Sequence, residues 1–268
     1  MSIKIENVEI SGWKAAIRGS RNPMNSWDKS DSIFISSSCC DEEEDFRLAK
    51  LCGGVAPIIK ENDHKLLMNL CKGGSEESKW RRFVHVSMDI TAPLYWWKEF
   101  DTYKVATACN SCSTMHKIQA KEFTREDFSC EHLIMDFDYP DDVTDEEQWQ
   151  KFLDDYCAYD CCQEHPAIDG LICEWNAGQI LPGYMLEWTI AMLNRARYLF
   201  LETKDKKYWW QMIQLLPSSY NQRRTIDLNY EVLAKQYRER KSHKLDEWRE
   251  YCGWIKTLPY SELITMEE

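Results

Sequence analysis

The feature that most constrains the fold is an alternation followed by an abrupt change of period. Val84, Val86, Met88 and Ile90 alternate with Phe83, His85, Ser87 and Asp89, the period of a strand buried on one face. Thr91-Ala-Pro93 then turns the chain, and Pro93 suits the first turn of a helix, where no backbone N–H is required. Trp96, Trp97 and Phe100 follow at helical spacing. Beyond them the chain runs through small polar residues to His116. The expected order is strand, helix, polar loop, with aromatic bulk holding a scaffold and the loop leaving room for a ligand.

The rest of the chain supports a mixed fold. Val8 and Ile10 alternate near the start. Phe46, Leu48 and Leu51 mark a helix broken by Gly53-Gly54, and His64, Leu67, Met68 and Cys71 mark another, ended by Gly73-Gly74. No Gly-Lys-Ser/Thr follows Gly53-Gly54, so that pair reads as a helix stop rather than a phosphate cradle. Thr124-Arg-Glu-Asp127 and Thr144-Asp-Glu-Glu147 look like helix starts, the second with the spacing of a capping box. Trp149, Phe152, Leu153 and Tyr156 place a helix over Asp145 to Asp160, and Leu186, Ile190, Leu193 and Leu199 place a longer one over Tyr184 to Thr203. The expectation is an α/β (α+β) fold, a twisted sheet surrounded by helices, forming one domain over 1–268 with a helical insertion around 120–205.

Charge and composition exclude some functions. The formal charge of -12 disfavours binding to a nucleic-acid polymer. Yet Arg223, Arg224, Lys235, Arg238, Arg240, Lys241 and Lys244 crowd near the C-terminus, enough for a small phosphorylated ligand; the plain alternative is a solvated helix face. No apolar run reaches the length of a membrane span, and the opening Met-Ser-Ile-Lys-Ile-Glu-Asn has no signal-peptide core, so a cytoplasmic location is expected. The 12 cysteines are then expected to be reduced thiols. Cys109-x-x-Cys112 with His116, and Cys157, Cys161, Cys162 with His165, each resemble half a zinc site. Neither has paired knuckles, and no metal is expected.

The second informative run is Leu216 to Arg240. If Asp227 caps a helix, Asn229, Leu233, Gln236 and Arg240 share a face, and two amides and a guanidinium on one stripe suit an anionic ligand. This run resembles the flavin-dependent thymidylate synthases (ThyX). Their segment reads Leu-Pro, turn residues, Asn-Ala-Arg-Ser-Leu and a helix ending in Leu-Arg. Counted from Leu216-Pro217, Asn229, Leu233 and Arg240 fall on the family's Asn, Leu and final Arg, while Glu231 stands at its middle Arg. His243 to Trp248 resembles the His-Ala-Gln-Trp that follows.

The opening run resembles the same family's signature, with Thr102-Tyr103-Lys104 in place of its Arg-His-Arg. One register then puts Asn110 at the signature Glu and Cys112 at its second Ser. With one inserted residue, Asn110 matches the Asn and Ser113 the Ser.

The resemblance implies a homotetramer binding FAD and dUMP, with NADPH and methylenetetrahydrofolate as co-substrates, and transfer of a one-carbon unit to C5 of the pyrimidine. By the same resemblance, Arg240 with Ser113 or Cys112 would be catalytic. Asn229, Tyr103, Lys104 and Gln236 would hold the cofactor, and Asn110, Ser111, Thr114, His116 and Arg240 the nucleotide. Loss of the Arg-His-Arg triplet points instead to a noncatalytic nucleotide-binding protein that kept the pocket without flavin. A zinc or thiol protein using Cys109, Cys112 and His116 is a third possibility.

Overall fold

The computed structural model describes residues 3–134 and 182–266. They group into two units, Met1–Thr114 with Ser218–Glu268, and Met115–Pro217.

The first unit is built on an antiparallel sheet. β1 (Lys4–Ser11), β4 (His85–Pro93), β6 (Asn221–Asn229) and β5 (Thr107–Ser111) lie side by side in that order. β2 (Ile33–Ser36) and β3 (Val55–Ile58) form a separate antiparallel pair. The alternation read from sequence is the alternation observed. Val84, Val86, Met88, Ile90 and Ala92 are buried, and their neighbours on β4 reach the other face. Ile226 and Leu228 of β6 complete the same apolar surface. Helices α1 (Trp13–Ser20), α2 (Glu43–Leu51), α3 (Glu61–Lys72) and α4 (Leu94–Phe100) belong to this unit. α4 seats Trp96, Trp97 and Phe100 in the core.

Between α1 and β1, Gly12 takes a φ of 92°, and a Cβ there would collide with the Phe83 carbonyl oxygen. That position needs glycine twice over, for its backbone angle and for its missing side chain.

Two local expectations are corrected. The polar loop expected after α4 becomes the edge strand β5, with Asn110 opposite Thr225 and Ser111 opposite Arg224. Small polar residues serve on an edge, where the ladder supplies the bonds and the side chains stay in water. Asp227 caps no helix. Ile226 and Leu228 continue a period of two, so the strand runs to Asn229, where the helix over Tyr230–Arg240 begins. Asp227 points to the outer face of the sheet and accepts from Ser87 Oγ at 2.6 Å and His85 Nδ1 at 3.1 Å.

The second unit contains α5 (Pro182–Thr203) and α6 (Lys206–Leu215), which pack together. Asn194 exchanges two hydrogen bonds with the backbone of Phe123, and Arg197 donates to the Gln119 carbonyl. Thr124 to Asp127 forms a capping box around a single 3-10 turn. The expected helix over Asp145 to Asp160, the capping box at Thr144, the acidic run from Asp136 to Asp142, and Cys157, Cys161, Cys162 and His165 lie outside the described residues. Among the described residues no helix is long and apolar enough to cross a membrane.

The remaining helices return to the first unit. These are α7 (Tyr230–Arg240), α8 (Asp246–Ile255) and α9 (Glu262–Thr265). α8 places Trp248 and Tyr251 against Trp96 and Phe100.

Candidate functional site

The site is built where three segments of the first unit converge on the start of α7. β6 delivers Asn229, whose side-chain oxygen accepts from the Val232 N–H at 3.1 Å and so caps the helix. The turn after α4 contributes Thr102 to Ala106, and the segment after α3 contributes Ser75, Arg81 and Arg82. Together with Glu231, Val232, Ala234, Lys235 and Arg238 they line a cavity of about 900 Å³. Ala106 holds a φ of 58° at its margin, a left-handed angle unusual for alanine and common where a turn is shaped for a site.

The wall is strongly cationic. Five basic side chains line it against one carboxylate, that of Glu231. Arg81 is buried, donates from Nε and Nη2 to the Leu263 carbonyl, and lies 3.9 Å from Glu231. Its charge is therefore answered within the protein. Arg82, Lys104, Lys235 and Arg238 are exposed. The cavity also lies at the N-terminal end of α7, whose Val232 N–H is taken by Asn229 and whose Tyr230 N–H donates to the Val84 carbonyl.

Tyr103 joins this cavity to a second cluster. Its hydroxyl donates to Glu239 Oε2 at 2.7 Å and accepts from Arg240 Nε at 2.9 Å. Burial, with the Glu239 carboxylate as a second cause, pushes its pKa up to about 12, so the phenol keeps its proton. The Arg240 guanidinium lies over the rings of Tyr103 and Trp248, at 5.7 and 5.0 Å from their centroids. Glu99 Oε2 accepts from Trp248 Nε1 at 2.6 Å and stands 3.4 Å from both Arg240 Nη1 and His243 Nε2.

The residues expected to act together are thus divided. Asn229, Tyr103 and Lys104 meet at the cavity. Arg240 does not line it and instead holds Tyr103 from behind. Gln236 is fully buried, accepts from Tyr251 at 2.9 Å, and leaves its Nε2 without a partner among the described residues. Asn110 and Ser111 are exposed on β5. Cys112 is exposed just beyond, its backbone tied to Arg223 and Gln222. Ser113 and Thr114 close the first unit, and His116 belongs to the second.

Arg81, Arg82, Ser75 and Glu231 were not expected at a ligand cavity. The adjacent Arg81-Arg82 ahead of the β4 alternation is the signal that was available. In the sequence Lys235 and Arg238 stand out only as part of a basic run.

The outer face of the sheet carries a separate polar network. Asp89 accepts from Thr225 Oγ1 at 2.6 Å, Asn7 Nδ2 at 2.8 Å and Arg223 Nη2 at 2.6 Å. Thr225, Asn7 and Arg223, in that order of effect, hold its carboxyl well below the usual range.

No family model matches the chain, and no curated protein matches it in sequence. Its fold is similar to that of thymidylate synthase X (ThyX) from Helicobacter pylori, solved with FAD and dUMP. The identity is 13% and the TM-score 0.55, over 100% of this chain and 97% of that one. A second structure of the Helicobacter pylori flavin-dependent enzyme, complexed with FAD and dUMP, matches at 13% identity and TM-score 0.55 over 100% of this chain and 98% of its own. At this identity the likeness establishes the fold, which is α/β as expected, and leaves the activity to be argued from the site.

Proposed function

We propose that this chain is a nucleotide-binding protein on the ThyX fold, taking a pyrimidine deoxynucleotide such as dUMP, with FAD as its cofactor. The observation that carries this reading is the cationic cavity at the start of α7, which gathers Asn229, Tyr103 and Lys104 on a fold whose solved examples hold FAD and dUMP. In its fullest form the protein is a divergent thymidylate synthase-like enzyme. It would be a cytoplasmic homotetramer using NADPH and methylenetetrahydrofolate, transferring a one-carbon unit to C5 of the pyrimidine.

The residues present fit the diphosphate of FAD. Lys104, Arg82 and Arg238 supply cations on an open wall. FAD, when bound, supplies the redox chemistry. The protein's own part is to hold the ligand and to orient it. Tyr103, fixed between Glu239 and Arg240, sets the height of the Thr102 to Lys104 turn.

One observation favours a second reading, a noncatalytic nucleotide binder. Arg240, assigned by resemblance to catalysis and to the nucleotide, is engaged by Tyr103 and Glu99 and does not line the cavity.

The deciding experiment is the visible spectrum of the purified protein after incubation with excess FAD and removal of what is free. A retained, perturbed flavin spectrum supports the enzyme and makes dUMP turnover the next assay. A colourless protein that still binds dUMP supports the second reading. A colourless protein that binds no nucleotide overturns both.

A further inference from the structure

We infer that a recess between the end of β1 and the β2–β3 pair is a second ligand site, which takes a small apolar molecule bearing one carboxylate. It shares no lining residue with the α7 cavity, and it stands whether or not that cavity holds a nucleotide.

The recess follows from local geometry. Gly12, at its φ of 92°, turns the chain from β1 into α1 and sets Trp13 at the start of that helix. On the β2–β3 pair Phe34 stands opposite Pro57, and Val55 lies two residues before Pro57, so these three side chains share one face. Trp13 and that face line a space of about 330 Å³. Trp13 and Pro57 are buried and form its floor, while Val55 is 42% exposed. The volume is at the lower end of the range for small-molecule pockets, roughly 300 to 1,000 Å³, and far below the 900 Å³ or so of the α7 cavity. A ring with a short side chain suits such a space.

Its lining is apolar with a single charge. The Cys52 thiol belongs to it, and burial pushes that pKa up to about 12, so the thiol stays neutral and packs as a small hydrophobe. Lys14 is the only charged residue among those lining the recess. It is exposed, and its side chain has no ion-pair or hydrogen-bond partner among the described residues. Exposed Ser11 adds a hydroxyl. The apolar face gains by covering a ring, and the ammonium answers a carboxylate held at the mouth, where the charge keeps its water. One lysine matches one negative charge, which sets a carboxylate above a phosphate dianion.

The test is calorimetric titration of the full chain with 3-phenylpropanoate and with 3-phenylpropanamide, which has nearly the same shape without the charge. At low salt the acid should bind about fivefold tighter than the amide, with the gap shrinking as salt rises. Lys14→Gln, at an exposed position, should bring the acid down to the amide's affinity. Val55→Trp should fill the recess and remove binding of both, while keeping its melting temperature because residue 55 is partly open to water. Excess dUMP should displace neither.

Equal affinities for acid and amide overturn the inference, as does the absence of binding by either. A preference for the acid that survives Lys14→Gln, or binding that survives Val55→Trp, arises elsewhere and overturns it too. Displacement by dUMP would put the acid in the α7 cavity, which overturns the inference and leaves the nucleotide reading standing.

Discussion

Two regions of the first unit concentrate charge, and they treat it in opposite ways. At the start of α3, Arg21 and Asp63 are both almost fully buried and meet at 2.6 Å. Asp63 also accepts from Ser30 Oγ and from the backbone N–H groups of Asp31 and Ser32. Asp31 in turn accepts from the N–H groups of Asn62 and Asp63. Each charge there has an internal answer. At the α7 cavity the balance is the reverse, with cations in excess and most of them open to water. The first arrangement pins a loop to a helix, and the second is suited to something outside the chain.

The largest expected effect comes from breaking the closed region. Asp63→Ala leaves Arg21 buried without its carboxylate and should cost about 3 to 5 kcal/mol of stability, read as the shift in a urea midpoint. A loss below about 1 kcal/mol, the scale of an exposed pair, would mean that the node is open to water and would erase the contrast. The pH dependence has a definite sign. Burial is the largest influence on Asp63 and pushes its pKa up, but the bonds from Ser32, Ser30 and Arg21 together outweigh it and leave it lowered. A carboxyl lowered in the folded state stabilises fully above its unfolded pKa of about 4 and loses that contribution as pH falls towards the folded value. Acid should therefore unfold the wild type more steeply than Asp63→Asn.

A smaller effect tests the boundary between the two regions. Arg240 lies between rings and beside Glu99, about one-fifth exposed. Arg240→Ala should cost about 1 to 2 kcal/mol of stability. If its role is confined to holding Tyr103, dUMP affinity should stay within about threefold of wild type. A loss near 1.4 kcal/mol, tenfold in affinity, would place the guanidinium on the nucleotide and favour the enzyme over the binder.

The same contrast explains what could be read before the structure. Val84 to Ile90 was legible because one side of a sheet must be apolar, and burial imposes a period on sequence. So was the pairing of Trp96 and Trp97 with Phe100, whereas Asn229, expected at a cofactor, lines the cavity and spends its oxygen on capping α7. The strand at Asn221–Asn229 is poorly marked in the sequence. Its outer residues, Arg223, Thr225 and Asp227, are polar, and two buried residues among them, Ile226 and Leu228, make a short signal. The cavity wall was the least legible part. Arg81, Arg82 and Glu231 are far apart in sequence and carry no shared period, so only folding brings them to one surface. Gln236 and Arg240 lie on the expected helix, but the packing of α8 and α4 against it, through Tyr251, Trp248 and Glu99, uses their polar groups internally.

The smallest effect extends the comparison to the thiols, where burial is the largest influence. Cys52 is partly buried, and desolvation pushes its pKa up to about 12, while Cys252 in the core is pushed up to about 11 by burial despite Lys256 and Arg240 nearby. Because the thiolate is the reactive form, both should resist alkylation at pH 8, where exposed Cys39, Cys109 and Cys112 are accessible. Timed iodoacetamide labelling followed by peptide mass spectrometry should place Cys39, Cys109 and Cys112 ahead of Cys52 and Cys252. Adding dUMP should leave the rate at Cys52 unchanged, since Cys52 lines a different recess, beside Trp13 and Phe34. Protection of Cys52 by the nucleotide would show that ligand binding tightens the closed part of the molecule as well, and that the two regions are energetically coupled rather than separate.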